Sequence, residues 1–367
     1  MSESLPIPAT LEAITADWLT DVLRAGSHLP QGAVAGFETT IIGAGVGFIG
    51  TVARLTLSYQ GAPSKAPATV IAKVPSTDPG SRAIGMMYGL YEREVRFYQH
   101  LGSNAGMPVP LCYHADFDAN GSAIILLEEL TGGRFGDQVA GSTPEEARLA
   151  VQYLARFHAK WWDSPRIGEH LWIVPGEMLF RGPLEMMYDA CWQLCLARFE
   201  TIFTPSLRAI MPELGKRTLK AMDGFFAGSR TLCQGDYRPD NLFYGAPGSA
   251  RELVVCDWQA PTFSPGISDL AYVVTGSLLV DDRRKYEHEL LAEYHQILQE
   301  GGVKNYTLNQ LETDYRGYFA GVIANGIILG ATLPDGNERG KAMLEATFTR
   351  FMTAIDDLGS LALLPAL

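Results

Sequence analysis

Positive charge is in short supply in this chain: 29 lysines and arginines stand against 41 aspartates and glutamates, for a formal net charge of -12 at pH 7. Proteins that hold nucleic-acid backbones do so through clustered Lys and Arg, so a generic nucleic-acid surface is excluded and no nucleic-acid partner is expected. Long apolar stretches are missing too. No run of about 18 apolar residues occurs, so no membrane span is expected. The start, MSESLPIPATLEAITADWL, lacks the basic region and apolar core of a secretory leader. Cysteine is scarce and odd in number. Cys112, Cys191, Cys195, Cys233 and Cys256 show no Cys-x-x-Cys spacing, which excludes a disulfide framework and fits free thiols in a reduced, cytoplasmic compartment. Cys191 and Cys195 lie one helical turn apart, but no His or further Cys at ligand spacing joins them, so they are expected to be buried structural thiols. Repeats, low-complexity tracts and long linkers are absent. What the chain does contain is apolar material: 47% hydrophobic residues against 19% charged over 367 residues suffice for a large core, in two lobes at ordinary domain sizes.

An opening helix is predicted with Thr15 as its cap and Trp18, Leu19, Val22 and Leu23 on one face. Glycines at 43, 45, 47 and 50 punctuate the next stretch. In TVARLTLSY, Thr51, Ala53, Leu55, Leu57 and Tyr59 alternate with Val52, Arg54, Thr56 and Ser58, the pattern of a strand following a glycine-rich hairpin. A second β-branched run, ATVIAKVP, carries the single lysine Lys73. Residues 88 to 101 place Tyr91, Val95, Tyr98 and Leu101 at helical spacing, with Glu94 beside that stripe. The apolar run 122 to 130 ends in Glu128 and Glu129, followed by Thr131-Gly132-Gly133, a hinge signal. The first lobe is therefore assigned to residues 1 to 130 and the second to 131 to 367. The second lobe is mostly helical in pattern, opening on Thr143-Pro144-Glu145-Glu146, which supplies an N-cap, a first-position Pro and the acid of a capping box. Two β-like runs interrupt it, TLCQGD and ELVVCDW.

Those two runs bracket the residues with chemistry. In LCQGDYRPDNLFYG, Asp236 precedes Asn241 by five positions, and ELVVCDWQ sets Asp257 at the end of an apolar strand. Phosphoryl transfer needs a carboxylate to accept the attacking hydroxyl's proton, and hard oxygen ligands to hold Mg²⁺ on nucleotide phosphates. Asp236 is accordingly assigned as the base and Asn241 and Asp257 as metal ligands. The spacing Asp-x-x-x-x-Asn also occurs in the protein-kinase catalytic loop. Arg238, two residues past the base, is a catalytic candidate facing either the γ-phosphate or a loop carboxylate, with a surface ion pair as the plain alternative. Asp240 is expected to be solvated or to bond within its loop. The Gly45-x-Gly47-x-x-Gly50 spacing also matches the dinucleotide fingerprint, but a Rossmann turn opens into a helix, whereas here an alternating strand and then Lys73 follow.

Taken together, QGDYRPDN and VVCDW resemble the His-Gly-Asp-x-x-x-x-Asn and Ile-Asp-Trp signatures of the aminoglycoside phosphotransferase superfamily, whose relatives include choline, homoserine and ecdysteroid kinases. The resemblance extends to the glycine-rich segment near 43 to 50, Lys73, Glu94, the LARFHAKWW helix and Asp269 in PGISDLAYVV. It implies an α+β, bilobal, protein-kinase-like fold with a small β-rich N-lobe and a larger, mainly helical C-lobe. It further implies ATP or GTP as donor, Mg²⁺, and a small-molecule hydroxyl as acceptor. By the same resemblance, Gly43, Gly45, Gly47, Lys73 and Glu94 bind the nucleotide, with Lys73 on the phosphates and Glu94 holding the lysine. Glu128 and Glu129 are cofactor-binding candidates at the hinge, and Asp269 braces the catalytic loop from below. One departure is Gln234, where the family usually has His. It supports an alternative reading as a nucleotide-binding pseudokinase or interaction module. A protein-directed kinase is disfavoured because the segment after Asp257 is short and lacks an Ala-Pro-Glu-like anchor. The aromatic residues between 158 and 230 (Trp161, Trp162, Trp172, Tyr188, Trp192) and Met186 lie where the family builds its acceptor pocket, as a cage for a quaternary ammonium or as ordinary core.

Overall fold

The computed structural model describes residues 5–43, 49–61, 65–333 and 337–367. In chain order the first elements are α1 (Ala16–Ala25), β1 (Ala33–Ile42), β2 (Gly50–Gln60), β3 (Thr69–Pro75), α2 (Pro79–Met87), α3 (Leu90–His100), β4 (Cys112–Phe117), β5 (Ala123–Glu128) and β6 (Arg134–Phe135). There follow α4 (Pro144–Trp161), β7 (Val174–Pro175), α5 (Gly176–Arg198), α6 (Pro205–Phe225), β8 (Thr231–Cys233), β9 (Leu242–Tyr244) and β10 (Leu253–Val255). The chain ends through β11 (Thr262–Ser264), α7 (Ile267–Ser277), α8 (Val280–Glu300), α9 (Leu308–Thr332) and α10 (Glu338–Asp357). Contacts divide it into two units: Met1–Arg134 with Gly245–Ala260, and Phe135–Tyr244 with Pro261–Leu367.

The first unit is built on a five-stranded sheet in the order β1-β2-β3-β5-β4, with every pairing antiparallel. Alternation in β2 explains which face is buried: Ala53, Leu55 and Leu57 are sequestered while Thr56 and Ser58 face solvent. Thr15 caps α1 by accepting the Trp18 N–H at 3.1 Å. The apolar face so aligned, Trp18, Leu19, Val22 and Leu23, joins Leu55, Val70, Ala72 and Ile124 in one core. Each fully buried leucine here contributes about 1.5–3 kcal/mol relative to exposure. An antiparallel strand directly after the glycine segment is incompatible with the strand-turn-helix entry of a dinucleotide fold.

The second unit is mainly helical. The capping box expected at the start of α4 is present, with Thr143 Oγ accepting the Glu146 N–H and Glu146 reaching back to the Thr143 N–H. Residues from α5, α6, α9 and α10, among them Leu184, Tyr188, Met211, Ile327 and Phe348, share its core. A small sheet, β7-β11-β8, leads from β8 into the segment QGDYRPDN. Sequence alternation predicts two strands after residue 130. The structure adds β6, β7, β9 and β11, each only two or three residues long, too short for a period-two pattern to register.

Among the described residues, no helix is long and apolar enough to cross a membrane. All five cysteines are free thiols, with Cys191 and Cys195 buried.

Candidate functional site

In the first unit, β3 lies between β2 and β5, and its alternation turns Val70, Ala72 and Val74 into the core and Lys73 to the other face. Lys73 Nζ sits 2.6 Å from Glu94 Oε2 and 2.8 Å from Asp257 Oδ1. Glu92, the rival acid on α3, instead pairs with Arg96 one turn on, at 2.7 Å. Asp257 follows β10 in a left-handed backbone conformation, φ 56°. For a non-glycine residue that conformation costs on the order of 1–3 kcal/mol, and such strain gathers at working sites. Packing enforces it: the buried Trp258 ring stacks on Phe97 at 4.0 Å and donates Nε1–H to Val255 O at 2.9 Å. Phe97 lies three residues from Glu94, so the helix bearing Glu94 is pinned to the turn bearing Asp257.

Gly50 lies against the lysine. A Cβ there would stand 3.1 Å from Val74 O and 3.7 Å from Lys73 Cε, so the close approach of backbone depends on glycine. Gly43 is described, with φ 66°; Gly45 and Gly47 lie outside the described residues. Glu128, at the end of β5, and Glu129 after it are engaged by arginines. Glu128 accepts from Arg251 at 2.6 and 2.9 Å and from the Leu111 N–H at 2.6 Å, and Glu129 accepts from Arg54 Nε at 2.7 Å.

Burial pulls the Lys73 ammonium towards neutrality, but the charges of Asp257 and Glu94 outweigh it and hold its pKa above the ordinary value. Burial likewise pushes Glu94 up to about 7, against the lowering influence of Lys73, while the negative charge of Asp257 adds to the rise. A carboxyl raised in this way stabilises the fold below its unfolded value of 4.5 and loses that contribution as pH climbs through about 7. Between pH 5 and 8, the unmodified protein is therefore expected to lose roughly 2–3 kcal/mol of stability relative to Glu94→Gln. Denaturant titrations of both proteins across that window measure it, and parallel pH curves would refute it.

In the second unit, Gly235 (φ 87°) turns the chain out of β8 so that the N–H groups of Gln234 and Gly235 both donate to the Asp269 carboxylate, at 2.6 and 3.0 Å. Gln234 is fully buried, and its Oε1 accepts the Asp236 N–H at 2.7 Å. Gln234, where the resemblance leads one to expect His, thus hydrogen-bonds the backbone of the proposed base. The Asp236 carboxylate receives Arg238 Nε at 3.1 and 3.0 Å and Asn241 Nδ2 at 2.9 Å; Asn241 Nδ2 also reaches Asp236 O at 2.8 Å. Of the three settings open to Arg238, the structure places it against loop carboxylates: besides Asp236 it meets Asp240 at 2.8 Å, with its side chain only 11% exposed.

Three contributors to this loop had no assigned role in the sequence. Tyr272 hydrogen-bonds Asp236, and burial followed by the Asp236 charge drives its phenol pKa well up. It lies three residues after Asp269 on α7, a spacing that sets both on one helix face and was a usable signal. His158, from LARFHAKWW, is fully buried, with Nδ1 2.7 Å from Tyr294 Oη and Nε2 3.5 Å from Asp269 Oδ2. Arg339 on α10 meets Asp240 at 2.9 Å; nothing in the sequence distinguishes it from other surface arginines. The aromatic residues between 158 and 230 differ in their surroundings. Trp161 and Tyr188 are buried, Trp192 packs on the same helical core as Tyr188, Trp162 meets the Tyr306 ring at 5.0 Å, and Met186 is exposed.

Residues 44–160 match the ecdysteroid kinase-like family, and residues 209–353 match a family described as uncharacterized oxidoreductase dhs-27. None of the curated proteins matches the chain. Among solved structures, spectinomycin phosphotransferase in complex with ADP and spectinomycin is 16% identical with a TM-score of 0.53, covering 95% of this chain and 98% of that one. The microcompartment-associated aminopropanol kinase is 13% identical with a TM-score of 0.54, covering 93% and 98%. An aminoglycoside phosphotransferase in complex with GDP and kanamycin is 14% identical with a TM-score of 0.51, covering 89% and 97%. The chain has the kinase-like fold of these proteins, as the resemblance in its motifs implies.

Proposed function

We propose that this kinase-like chain transfers the γ-phosphoryl group of ATP or GTP to a hydroxyl of a small molecule, with Mg²⁺. The observation that carries the reading is Lys73, largely buried between Glu94 and Asp257, with the second carboxylate held at a strained strand end. An ammonium set between two carboxyl groups suits a site for a cation and phosphates together, because Lys73 meets phosphate oxygens while Asp257, 27% exposed, offers oxygen to a metal.

Mg²⁺ is a hard cation that takes oxygen ligands, and each unit by itself offers one: the Asp257 carboxylate in the first and, in the second, the Asn241 amide oxygen, whose amide nitrogen is already donating to Asp236. When bound, Mg²⁺ neutralises charge on the nucleotide phosphates. Lys73 holds and orients those phosphates, and Glu94 keeps the lysine in place. Gly43, Gly45 and Gly47 bring bare backbone to the phosphates. The side chains of Glu128 and Glu129 are taken by arginines, and the Glu128 N–H donates to Leu111 O at 2.9 Å. Asp236 accepts the acceptor hydroxyl's proton as its oxygen bonds the γ-phosphorus and the bond from that phosphorus to the bridging oxygen breaks, releasing nucleoside diphosphate.

A pseudokinase reading rests on Gln234; against it, Gln234 Oε1 accepts the Asp236 N–H at 2.7 Å and so supports the loop that carries the proposed base. The match to the family described as an oxidoreductase covers residues 209–353; in the first unit, β2 after the glycine segment is antiparallel to β1 and β3, which is not the entry to a dinucleotide fold. Calorimetric titration with ATP and GTP, with and without Mg²⁺, tests the proposal. Binding is expected to require Mg²⁺ and to weaken by about tenfold or more in Asp257→Ala, the scale of one lost metal ligand. Nucleotide binding indifferent to both the metal and residue 257 would count against it.

A further inference from the structure

Asp240 is an unusual neighbour for a catalytic loop: its side chain is 3% exposed, yet its two carboxylate oxygens serve three partners. Oδ2 accepts from Arg238 Nη1 at 2.8 Å, while Oδ1 accepts from Arg339 Nη2 and from the Gln138 N–H, both at 2.9 Å. A carboxylate buried this fully is retained at a desolvation cost that only multiple donors offset. The donors come from three places: Arg238 from the catalytic loop, Arg339 from the first turn of α10, and Gln138 from the loop before α4. That last loop is itself fastened to α7 and α10. Gln138 Nε2 donates to Gly276 O at 2.8 Å and to Thr347 Oγ at 3.2 Å, and buried Arg350 donates to Gln138 O at 2.6 Å, Gly276 O at 3.0 Å and Val139 O at 3.0 Å. Arg339, Met343 and Thr347 recur at four-residue spacing on α10, and Met343 Sδ meets Arg238 Nη1 at 3.4 Å. One helix face thus touches the 236–241 loop through Arg339 and Met343 and the loop before α4 through Thr347.

We infer that Asp240 and Arg339 are positioning residues: α10, through Arg339 and the buried carboxylate of Asp240, fixes the guanidinium of Arg238, and Arg238 in turn fixes the Asp236 carboxylate. The inference rests on the reading of Asp236 as the base. Arg238 Nε bridges both Asp236 oxygens, so its orientation sets the direction in which that carboxylate presents its lone pairs. A planar guanidinium with one edge on Asp236 and a terminal nitrogen on Asp240 cannot swing without breaking both contacts. Losing the Asp240 charge frees that swing, and a misplacement of about 1 Å in a catalytic group costs up to about 100-fold in rate.

The test is steady-state turnover of Mg-ATP, with water and with a panel of hydroxylated metabolites as acceptors, in the unmodified protein, Asp240→Asn, Arg339→Gln and Arg339→Lys. Thermal unfolding of all four, and of the Asp240→Asn/Arg339→Gln double variant, is followed in parallel. We expect kcat to fall by about 10- to 100-fold in Asp240→Asn and by less in Arg339→Gln, with KM for ATP essentially unchanged and with partial recovery in Arg339→Lys. The double variant is expected to lose no more than Asp240→Asn alone, because the two substitutions cut one chain of contacts. Arg339 is partly exposed, so its variants report even if Asp240→Asn fails to fold. Unchanged kcat in Arg339→Gln and Asp240→Asn, in a protein that turns over ATP, overturns this inference and leaves the proposed function standing. Fully additive losses, or losses of kcat that simply follow the melting temperature, overturn it equally. An unmodified protein that turns over no ATP with any acceptor overturns the inference and the proposed function together.

Discussion

Asp236→Ala is expected to reduce phosphoryl transfer by about 1,000-fold or more while leaving Mg-nucleotide binding nearly intact, the signature of a group that acts on the acceptor hydroxyl. The carboxylate is 24% exposed in its side chain, so it is open to an acceptor, and its backbone is held independently of its side chain by Gln234 Oε1. Removing the side chain therefore deletes the proton acceptor without dismantling the loop, whose N–H groups remain on Asp269. It does leave Arg238 with Asp240 as its remaining loop carboxylate, so Asp236→Asn is the companion variant: it preserves shape and loses basicity, and should be nearly as inactive. Rapid-quench turnover measures the transfer step and calorimetry the binding. Substantial turnover by either variant would remove Asp236 from the chemistry.

Lys73→Met is expected to abolish measurable Mg-nucleotide binding and to destabilise the first unit by about 3–5 kcal/mol, the range for deleting one partner of a buried ion pair. The magnitude follows from what is left behind. Glu94 is 3% exposed, and without the ammonium it faces Asp257 across an uncompensated gap, so two carboxylates share a poorly solvated space. Glu94 would take up a proton over a still wider pH range, and Lys73→Met should lose less stability at pH 5 than at pH 8. Adding Glu94→Gln to Lys73→Met should restore part of the stability and none of the binding. Denaturant unfolding at the two pH values separates these effects. A Lys73→Met protein as stable as its parent at pH 8 would mean that the lysine is solvated and the cluster is not a unit.

How much of this was legible beforehand differs between the two units, for physical reasons. The β-branched run of β3 and the helical spacing through α3 locate Lys73 and Glu94 in the sequence, because burial of one face imposes such patterns on any strand or helix. The five-residue step from Asp236 to Asn241 was visible because a single loop supplies both residues. Partners that come from distant segments left no such trace. Arg339 is about 100 residues from Asp240, and only folding reveals that a surface-patterned arginine reaches a buried acid. In the sequence Asp240 is expected to be solvated or to bond within its loop; it is buried, and it bonds Arg238 in that loop together with Arg339 and Gln138 outside it. Residues 245–260 are assigned by their contacts to the first unit although they follow the catalytic loop, a relation that strand order in space settles and sequence order does not. The aromatic residues of the helical region fit core or cage equally on composition, and burial of Trp161 and Tyr188 commits those two to packing.

The central claim is that a hydroxyl of a small molecule receives the γ-phosphoryl group. Its most direct test is to incubate the protein with Mg²⁺, ATP or GTP carrying ¹⁸O in the γ-phosphoryl group, and a broad panel of hydroxylated metabolites, then to search by mass spectrometry for labelled phosphomonoesters. The account predicts that the heavy phosphoryl group appears on at least one alcohol, in an amount equal to the nucleoside diphosphate released and absent when Asp236→Ala replaces the unmodified protein. Label that stays on the nucleotide, or that leaves it only as inorganic phosphate at the rate seen without protein, would contradict it.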